Sequence, residues 1–254
     1  MLREAGLEVT TWTNDLPMSR QELREAAQQN DILLSSSTYA LDADFLESNK
    51  HLKLISQFAA GYNNIDLKKA KELGILIANT PNAMADATAD IAFGLMLAVA
   101  RKMFYMHKKI MAAEWKHFRP QANLGIELKG KTVGILGMGN IGTEFAKRCK
   151  GAFEMPILYH NRSRNLEGEK TLDANYVSFD ELLRQSDVLS VHCALTEQTK
   201  ELFNMKSFEK MKSTSIFINT ARGGIHNEEA LIEALRKEII WGAGLDVTNP
   251  EPMR

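Results

Sequence analysis

The sequence contains little cysteine, the residue from which thiolate metal sites and disulfide-linked folds are built. Only two cysteines, Cys149 and Cys193, occur among its 254 residues, and their spacing is not that of metal ligands. We therefore predict that no metal is bound and that the protein works in a reduced, cytoplasmic setting.

An excess of charge of one sign is also absent, because 31 Lys and Arg oppose 32 Asp and Glu to give a net charge of −1. This balance gives no electrostatic reason to expect nucleic acid or an anionic membrane as a partner. The longest apolar run, residues 91–100, is too short to span a bilayer and predicts a buried helix. The first residues lack the apolar segment of a signal peptide. The composition is 44% hydrophobic and 25% charged, as expected for a globular protein of one or two domains.

Residues 131–162 contain the most informative pattern. The apolar run Val133–Leu136 predicts a buried strand, Gly137, Gly139 and Gly142 follow it in G-x-G-x-x-G spacing, and a helical pattern comes next. A strand, a glycine turn and a helix in this order predict a dinucleotide-binding site, with the pyrophosphate at the helix N-terminus. The alternative is an ordinary glycine-rich turn. The predicted cofactor-binding residues of this turn are Gly137, Met138, Gly139, Asn140, Ile141 and Gly142.

The end of the next predicted strand, Ile157–His160, bears on which dinucleotide binds. NAD sites usually carry an acidic residue about 20 positions after the glycines, but this strand ends in Asn161, Arg162 and Ser163. An arginine can bind a 2′-phosphate through two hydrogen bonds, and the other two side chains add neutral hydrogen-bonding groups. We therefore predict NADP rather than NAD, the alternative being a solvated basic loop.

Alternating strand and helix patterns predict an α/β fold with two parallel-sheet domains. Residues 1–83 contain strand patterns at 31–35, 54–58 and 75–78, and a further strand candidate at 7–12. A long helical pattern over residues 85–113 then opens a second domain, residues 84–254, which includes the glycine turn. We assign cofactor binding to residues 84–254 and substrate binding to residues 1–83.

Three charged residues occur at or near predicted strand ends in the second domain. Arg222 is followed by two glycines that leave room for a ligand, and a guanidinium suits a carboxylate. Asp246 lies inside an apolar run, where a buried carboxylate must be hydrogen-bonded, so it either accepts a bond from a nicotinamide carboxamide or caps the local backbone. Glu251 lies between two prolines. The alternatives are a surface arginine for Arg222 and an exposed turn residue for Glu251.

Together these motifs resemble those of the D-isomer-specific 2-hydroxyacid dehydrogenases, and most of all the glyoxylate/hydroxypyruvate reductase branch. The matching segments are residues 60–66, 79–90, 137–142, 219–224 and 245–252. The resemblance implies two doubly wound parallel-sheet domains, a Rossmann cofactor domain and an incomplete flavodoxin-like substrate domain. It also implies a homodimer that transfers a hydride from NADPH to a small 2-keto acid, giving the D-2-hydroxy acid.

The resemblance further implies roles for individual residues. Arg222 would bind the substrate carboxylate and polarise the keto oxygen, and backbone N–H groups of Ala60 and Gly61 would hold the same carboxylate. Glu251 would hydrogen-bond a catalytic histidine and raise its pKa, which keeps the histidine protonated as a proton donor. The residues expected to line the nicotinamide are Thr88, Thr220 and Asp246, and Ala221 is also expected to bind the cofactor. Those expected to cover the adenosine side are Cys193, Ala194, Leu195 and Thr196.

The end of the sequence departs from the family pattern. The family's catalytic histidine lies in a Pro-His-x-Gly-Ser segment after the Glu-Pro motif, whereas this sequence stops at Arg254. Of the histidines present, we expect His192 to be structural and His226 to be a local variant. We therefore expect a family member trimmed at both ends, with little reductase activity but retained NADP binding. The alternatives are a non-catalytic dinucleotide-binding module and an NAD-linked dehydrogenase of another substrate, such as phosphoglycerate.

Overall fold

A computed structural model describes residues 2–251 of the chain, which forms two compact units, Met1–Ala83 and Met84–Arg254. Each unit contains a parallel sheet accompanied by helices, which confirms the predicted α/β class. The elements of the first unit are α1 (Arg20–Gln28), β1 (Ile32–Ser35), α2 (Ala43–Ser48), β2 (Leu54–Gln57), α3 (Leu67–Leu73) and β3 (Leu76–Ala78). Its strands pair in the order β1-β2-β3.

Polar side chains begin the helices of the first unit. The Ser19 hydroxyl accepts a hydrogen bond from the Glu22 N–H, and the Glu22 carboxylate accepts one from the Ser19 N–H, which forms a capping box for α1. Asp66 caps α3 by accepting from the Lys69 N–H at 2.9 Å. Gly74 ends α3 in the left-handed conformation with φ of 73°. These local signals fix where the helices start and stop.

The sheet of the first unit has one covered and one exposed face. Ile55 and Gln57 of β2 are fully buried on the covered face, where Phe45 of α2 also lies in the core. Leu34 and Leu76 lie on the other face and are 60% and 68% exposed. Parallel sheets are normally covered on both faces, so this apolar face has the character of a packing surface.

Residues 7–12 form no strand, so that prediction is wrong. They lie outside the helices and sheets, and nearly all of them are exposed. Alternating apolar and polar residues make a strand only when a neighbouring strand offers its backbone, and no strand of residues 2–251 pairs with this segment.

The second unit contains most of the secondary structure. Its helices are α4 (Ala85–Ala100), α5 (Met103–Met111), α6 (Asn140–Phe153), α7 (Leu166–Leu172), α8 (Phe179–Gln185), α9 (Met205–Phe208) and α10 (Glu228–Arg236), with a 3-10 helix at Gly223–Ile225. Its strands are β4 (Val133–Leu136), β5 (Ile157–His160), β6 (Asn175–Tyr176), β7 (Val188–Val191), β8 (Ile216–Asn219) and β9 (Gly242–Leu245).

The sheet of the second unit is parallel and has the strand order β6-β5-β4-β7-β8-β9. From β4 the chain moves outward through β5 and β6, and then returns to β7 on the other side of β4. The direction of winding therefore reverses between β4 and β7, which pair from Val133↔Val188 to Leu136↔Val191. This is a doubly wound sheet, and such sheets bind ligands beyond the carboxyl ends of the strands at the reversal.

Alternate side chains of the central strands enter two separate cores on opposite faces of the sheet. Ile135 of β4 packs in one core with Met96 of α4 and Phe145 of α6. Phe217 of β8 packs in the other with Leu182 of α8 and residues of α10. Strands covered on both faces read as continuous apolar runs, which explains why the sequence pattern located β4, β7 and β8.

The long helical pattern over residues 85–113 becomes two helices rather than one, so that expectation is corrected. Helix α4 ends at Ala100, and Lys102 adopts the left-handed conformation with φ of 53° before α5 begins. A residue in this conformation cannot continue the right-handed hydrogen-bond ladder. None of the helices within residues 2–251 is both long enough and apolar enough to cross a membrane.

The buried side chain of Leu182 provides a test of the second core. Leu182→Ala is expected to lower the free energy of unfolding by about 2–5 kcal/mol, because the leucine is fully buried against β4. Leu166→Ala is the matched control, since Leu166 is 68% exposed in α7, and should change it by about 0.5 kcal/mol or less. Urea denaturation followed by circular dichroism measures both, and equal losses would contradict this packing.

Candidate active site

The turn between β4 and α6 has room for only a hydrogen atom at two positions. Gly137 has φ of 94°, and a Cβ there would lie 2.5 Å from the amide nitrogen of Cys193. A Cβ at Gly142 would lie 2.5 Å from the carbonyl oxygen of Gly137. Larger residues would push α6 away from the strand or force the turn apart.

The space in front of the turn is open at the remaining glycine, Gly139. A Cβ at Gly139 would meet no atom within 4 Å, and Gly139 is the N-cap of α6 without a side-chain cap. The N-terminus of a helix carries a partial positive charge and N–H donors that suit phosphate. The turn therefore fits a dinucleotide pyrophosphate. Asn140 and Ile141 occupy the first turn of α6, whereas the side chain of Met138 is buried and contacts α7 at Gly168.

Two asparagines fix the loop after β5 to the glycine turn. Asn161 Oδ1 accepts a hydrogen bond of 2.6 Å from the Met138 N–H, and its Nδ2 donates to the Met138 carbonyl at 3.3 Å. Asn165 Nδ2 donates to the same carbonyl at 2.9 Å. Asn161 is thus engaged with the protein backbone. The contribution of Asn165 was not predicted, although an Asn before Leu166 is a helix-capping signal that could have indicated it.

Two arginines of this loop have different surroundings. Arg164 forms an ion pair with Glu169, whose carboxylate also accepts a hydrogen bond from the Tyr159 hydroxyl, and these bonds lower the pKa of Glu169. Arg162 and Ser163 are exposed, and Arg162 has no hydrogen bond or ion pair to any residue of 2–251. The guanidinium of Arg162 is therefore available to an anion from solvent, whereas that of Arg164 already has a carboxylate partner.

The loop after β7 lies beside the glycine turn. Cys193 is in backbone contact with Gly137, and burial raises the pKa of its thiol to about 11, so the thiol is uncharged near neutral pH. Ala194 and Thr196 are exposed and Leu195 is half-buried. The Thr199 hydroxyl closes this loop by donating to the Ala194 carbonyl at 2.7 Å.

His192 immediately follows β7, and its side chain contacts residues of the protein interior. Its Nε2 is 2.9 Å from the Ser190 hydroxyl, and its ring packs against Phe145 with centroids 5.3 Å apart. Burial lowers the pKa of His192 to about 3, so the ring is neutral at ordinary pH and is poorly suited to donate a proton in catalysis.

The loop after β8 presents Arg222 through a turn that is held by a buried asparagine. Asn219 Oδ1 accepts from the Ala221 N–H at 2.9 Å, and its Nδ2 donates to the Arg222 carbonyl at 3.0 Å. Thr220 is buried, and its hydroxyl is 3.4 Å from Nδ1 of His192. The Arg222 side chain is half-buried, and its Nη1 donates to the Ala221 carbonyl at 2.6 Å.

The loop after β9 contains the two predicted acidic residues. Asp246 follows β9 and is exposed, so the premise that it is a buried strand residue is wrong. Its N–H bonds to the carbonyl of Asn219, the last residue of β8, at 3.0 Å. Glu251 is exposed. This loop touches the loop after β8, since a Cβ at Gly223 would lie 2.0 Å from the Thr248 carbonyl oxygen.

The structure therefore gathers most of the predicted cofactor residues at one edge of the second sheet, beyond the carboxyl ends of β4, β5, β7, β8 and β9. Thr88 is half-buried in the first turn of α4, and its hydroxyl forms no hydrogen bond to these loops within residues 2–251. Across that same range, no group of three or more His, Cys, Asp or Glu is placed to hold a metal.

Ala60 and Gly61 lie in the first unit, in the loop after β2. The Ala60 carbonyl accepts from Asn79 Nδ2 at 2.8 Å, and the Gly61 carbonyl accepts from Gln57 Nε2 at 3.4 Å. The backbone N–H groups of both residues have no acceptor among residues 2–251. The loop is thus held through its carbonyls, while two adjacent donors stay available.

Comparison with known proteins identifies the family of this chain. The model of the D-isomer specific 2-hydroxyacid dehydrogenase NAD binding domain matches residues 93–254. A glyoxylate reductase of Thermococcus litoralis is 43% identical over 253 residues, which are 98% of this chain and 76% of that protein.

Solved structures agree with this match. The TT0316 protein of Thermus thermophilus superposes with a TM-score of 0.91 at 39% identity, covering 100% of this chain and 79% of the other. A glyoxylate reductase from Paecilomyes thermophila gives a TM-score of 0.84 at 40% identity, covering 92% and 73%. The chain therefore belongs to the D-isomer specific 2-hydroxyacid dehydrogenases, and it is an oxidoreductase that depends on a nicotinamide dinucleotide.

Proposed function

We propose that this dehydrogenase reduces glyoxylate, or a 2-keto acid of similar size such as hydroxypyruvate, and that it uses NADPH. The observation that carries the proposal is the position of Arg222 on a rigid turn beyond β8, at the same sheet edge as the glycine turn. Relatives bearing the name glyoxylate reductase support this choice of substrate. When bound, the reduced nicotinamide supplies the hydride that is added to the keto carbon.

Arg222 binds the substrate in this proposal. Its guanidinium forms hydrogen bonds with the carboxylate and directs a further N–H group to the keto oxygen. Negative charge develops on that oxygen as the hydride is added. The bonds from Asn219 to the backbone of the Arg222 turn support this role, because they fix the turn before substrate arrives. The available N–H groups of Ala60 and Gly61 support a second role in holding the carboxylate.

Glu251 is proposed to hydrogen-bond the imidazole of the family's catalytic histidine, which is none of the six histidines of this sequence and which would donate a proton to the keto oxygen. A carboxylate beside an imidazole raises the pKa of the imidazole and favours its protonated form. The proposed order of events is binding of the carboxylate, hydride addition to the carbon and protonation of the oxygen, which together yield a D-2-hydroxy acid.

The preference for NADPH is inferred from the loop after β5. The exposed guanidinium of Arg162 lacks a partner within the described chain, residues 2–251, and is suited to a 2′-phosphate. Ser163 is exposed next to it, and the strand end lacks the acidic residue that would bind a free 2′-hydroxyl. Asn161 acts in this proposal by holding the loop against the glycine turn.

The remaining cofactor contacts are proposed from the positions of the loops at this edge of the sheet. The residues proposed to contact the pyrophosphate are Gly137, Met138 through its backbone, Gly139, Asn140, Ile141 and Gly142. Those proposed to cover the adenosine are Cys193, Ala194, Leu195 and Thr196. Those proposed to line the nicotinamide are Thr88, Thr220, Ala221 and Asp246.

We also propose that the protein is a homodimer, and that it works in the reducing cytoplasm. None of the residues 103–111 of α5, a fully described helix, is buried. The apolar side chains of Phe104 and Met111 are 65% and 74% exposed. Exposed apolar side chains at this density favour an interface with another copy of the chain. Free thiols at Cys149 and Cys193 favour the reducing setting.

Arg222→Ala tests the substrate site. Relative to the low kcat/KM for glyoxylate that is expected of the unaltered chain, the substitution should lower kcat/KM about a hundredfold or more, because it removes a pair of charge-assisted hydrogen bonds. The Kd for NADPH, measured by fluorescence titration, should change by about twofold or less. Arg236→Ala, at an exposed position of α10, is the control. Wild-type kcat/KM in the Arg222 variant would contradict the proposal, and NADPH binding without turnover in the unaltered chain would favour a binding module.

Arg162→Ala tests the cofactor preference. The Kd for NADPH should rise about tenfold or more through loss of the bond to the 2′-phosphate, while the Kd for NADH stays within about twofold. Arg164→Ala is the matched control in the same loop, because Glu169 already engages that guanidinium, and it should have the smaller effect on NADPH. Equal affinities of the Arg162 variant and the unaltered protein for NADPH would contradict the proposed preference for NADPH.

Phe104→Glu tests the oligomeric state. A charge at this exposed position should convert the dimer to a monomer, because desolvating an unpaired carboxylate in an apolar interface is costly. Light scattering coupled to gel filtration gives the molar mass directly. Leu166→Glu places the same charge at another exposed apolar position and should leave the mass unchanged. A monomeric unaltered protein would refute the interface.

A further inference from the structure

The loop after β8 and the loop after β9 carry Arg222 and Glu251, and one side chain lies where both loops are anchored. His226 follows the 3-10 helix and is fully buried. Its Nδ1 lies 3.0 Å from Nδ2 of Asn219, and its Nε2 lies 3.1 Å from Oε2 of Glu228. This histidine was expected to be a local variant, so its contacts are a finding of the structure.

The hydrogen bonds determine which nitrogen of His226 carries the proton. Asn219 Oδ1 accepts from the Ala221 N–H, so the other arm of the side chain is the NH₂ group that donates to the Arg222 carbonyl and faces Nδ1 of His226. Nδ1 must therefore accept. The proton of the neutral ring is on Nε2, which donates to the carboxylate of Glu228.

Glu228 continues the chain of hydrogen bonds to the second loop. Its Oε2 accepts from His226 and also from the Asn249 N–H at 3.3 Å. The route from the Arg222 carbonyl to the Asn249 backbone thus runs through Asn219, His226 and Glu228. Two residues beyond Asn249 lies Glu251 of the proposed site.

Burial keeps His226 in the neutral form that this chain of bonds requires. Burial lowers the pKa of the imidazole, and the carboxylate of Glu228 opposes this effect in part. A proton added at Nδ1 would point at the NH₂ group of Asn219, where two donors would face each other. The neutral ring therefore satisfies every group that it touches in this chain of bonds.

We propose that His226 is a positioning residue that fixes the Arg222 turn relative to the loop of Asn249 and Glu251. The proposal rests on the proposed function, because it assigns Arg222 to the substrate carboxylate. Without the ring, Asn219 and Glu228 each lose a buried partner, and the hydrogen-bonded route between the Arg222 carbonyl and the Asn249 backbone is broken. The guanidinium is then held less firmly in its binding orientation.

The test measures the affinity for oxamate, whose carboxylate and adjacent carbonyl match those of a 2-keto acid, in the presence of saturating NADPH. His226→Leu should raise the Kd for oxamate roughly tenfold, since two hydrogen bonds are lost. His226→Gln should have an intermediate effect, because its amide can still donate to Glu228. The Kd for NADPH should stay within about twofold for both variants.

Glu228→Ala tests the same link without altering the buried ring. It should weaken oxamate binding about as much as His226→Leu. The double variant should be no weaker than either single variant, because residues of one chain of bonds do not contribute additively. Effects that multiply in the double variant, or oxamate affinity within about twofold of wild type in His226→Leu, would overturn the proposal.

Two controls distinguish the positioning role of His226 from general destabilisation and from the proposed function of Arg222. Leu182→Ala destabilises the same unit away from both loops and should leave the Kd for oxamate unchanged, so equal weakening there would assign the His226 effect to general destabilisation and overturn the proposal. Arg222→Ala should abolish measurable oxamate binding. If it does and His226→Leu has no effect, only the positioning role fails; if it does not, the proposed function itself fails.

Discussion

The turn between β4 and α6 is the constraint on which the site depends, because two of its positions have no space for a side chain. Gly137 is in contact with the backbone of Cys193, and Gly142 is in contact with the carbonyl of Gly137. These contacts bring the N-terminus of α6 over the carboxyl end of the central strand. The loops of the second unit that follow β5, β7, β8 and β9 come after strands parallel to β4 and therefore lie at the same edge.

Half-buried and buried asparagines set the shapes of the loops at this edge. Asn161 and Asn165 attach the loop after β5 to Met138, and Asn219 attaches the Arg222 turn to the end of β8. An amide side chain supplies a donor and an acceptor together, so one buried residue can replace two missing backbone partners. Arg162 and Arg222, whose guanidinium groups we propose bind ligands, lie on loops that are held in this way.

The sequence was sufficient for features that depend on local signals. The apolar run of β4 followed by three spaced glycines predicted a strand, a turn and a helix that the structure contains. Features that depend on distant partners were missed or wrong. Residues 7–12 alternate as a strand does but have no paired neighbour, and the apolar surroundings of Asp246 suggested burial that the strand end does not provide. The link through His226 joins loops that are far apart in the sequence, so no local pattern indicates it.

The central claim is that a dinucleotide at the glycine turn and a keto acid at Arg222 meet at one edge of the second sheet. A crystal structure of the protein with NADPH and oxamate tests this claim most directly. The account predicts pyrophosphate oxygens against the N-terminus of α6 near Gly139, and the oxamate carboxylate within hydrogen-bond distance of the Arg222 guanidinium. Oxamate bound beside the nicotinamide without contact to Arg222, or a pyrophosphate away from the glycine turn, would contradict it.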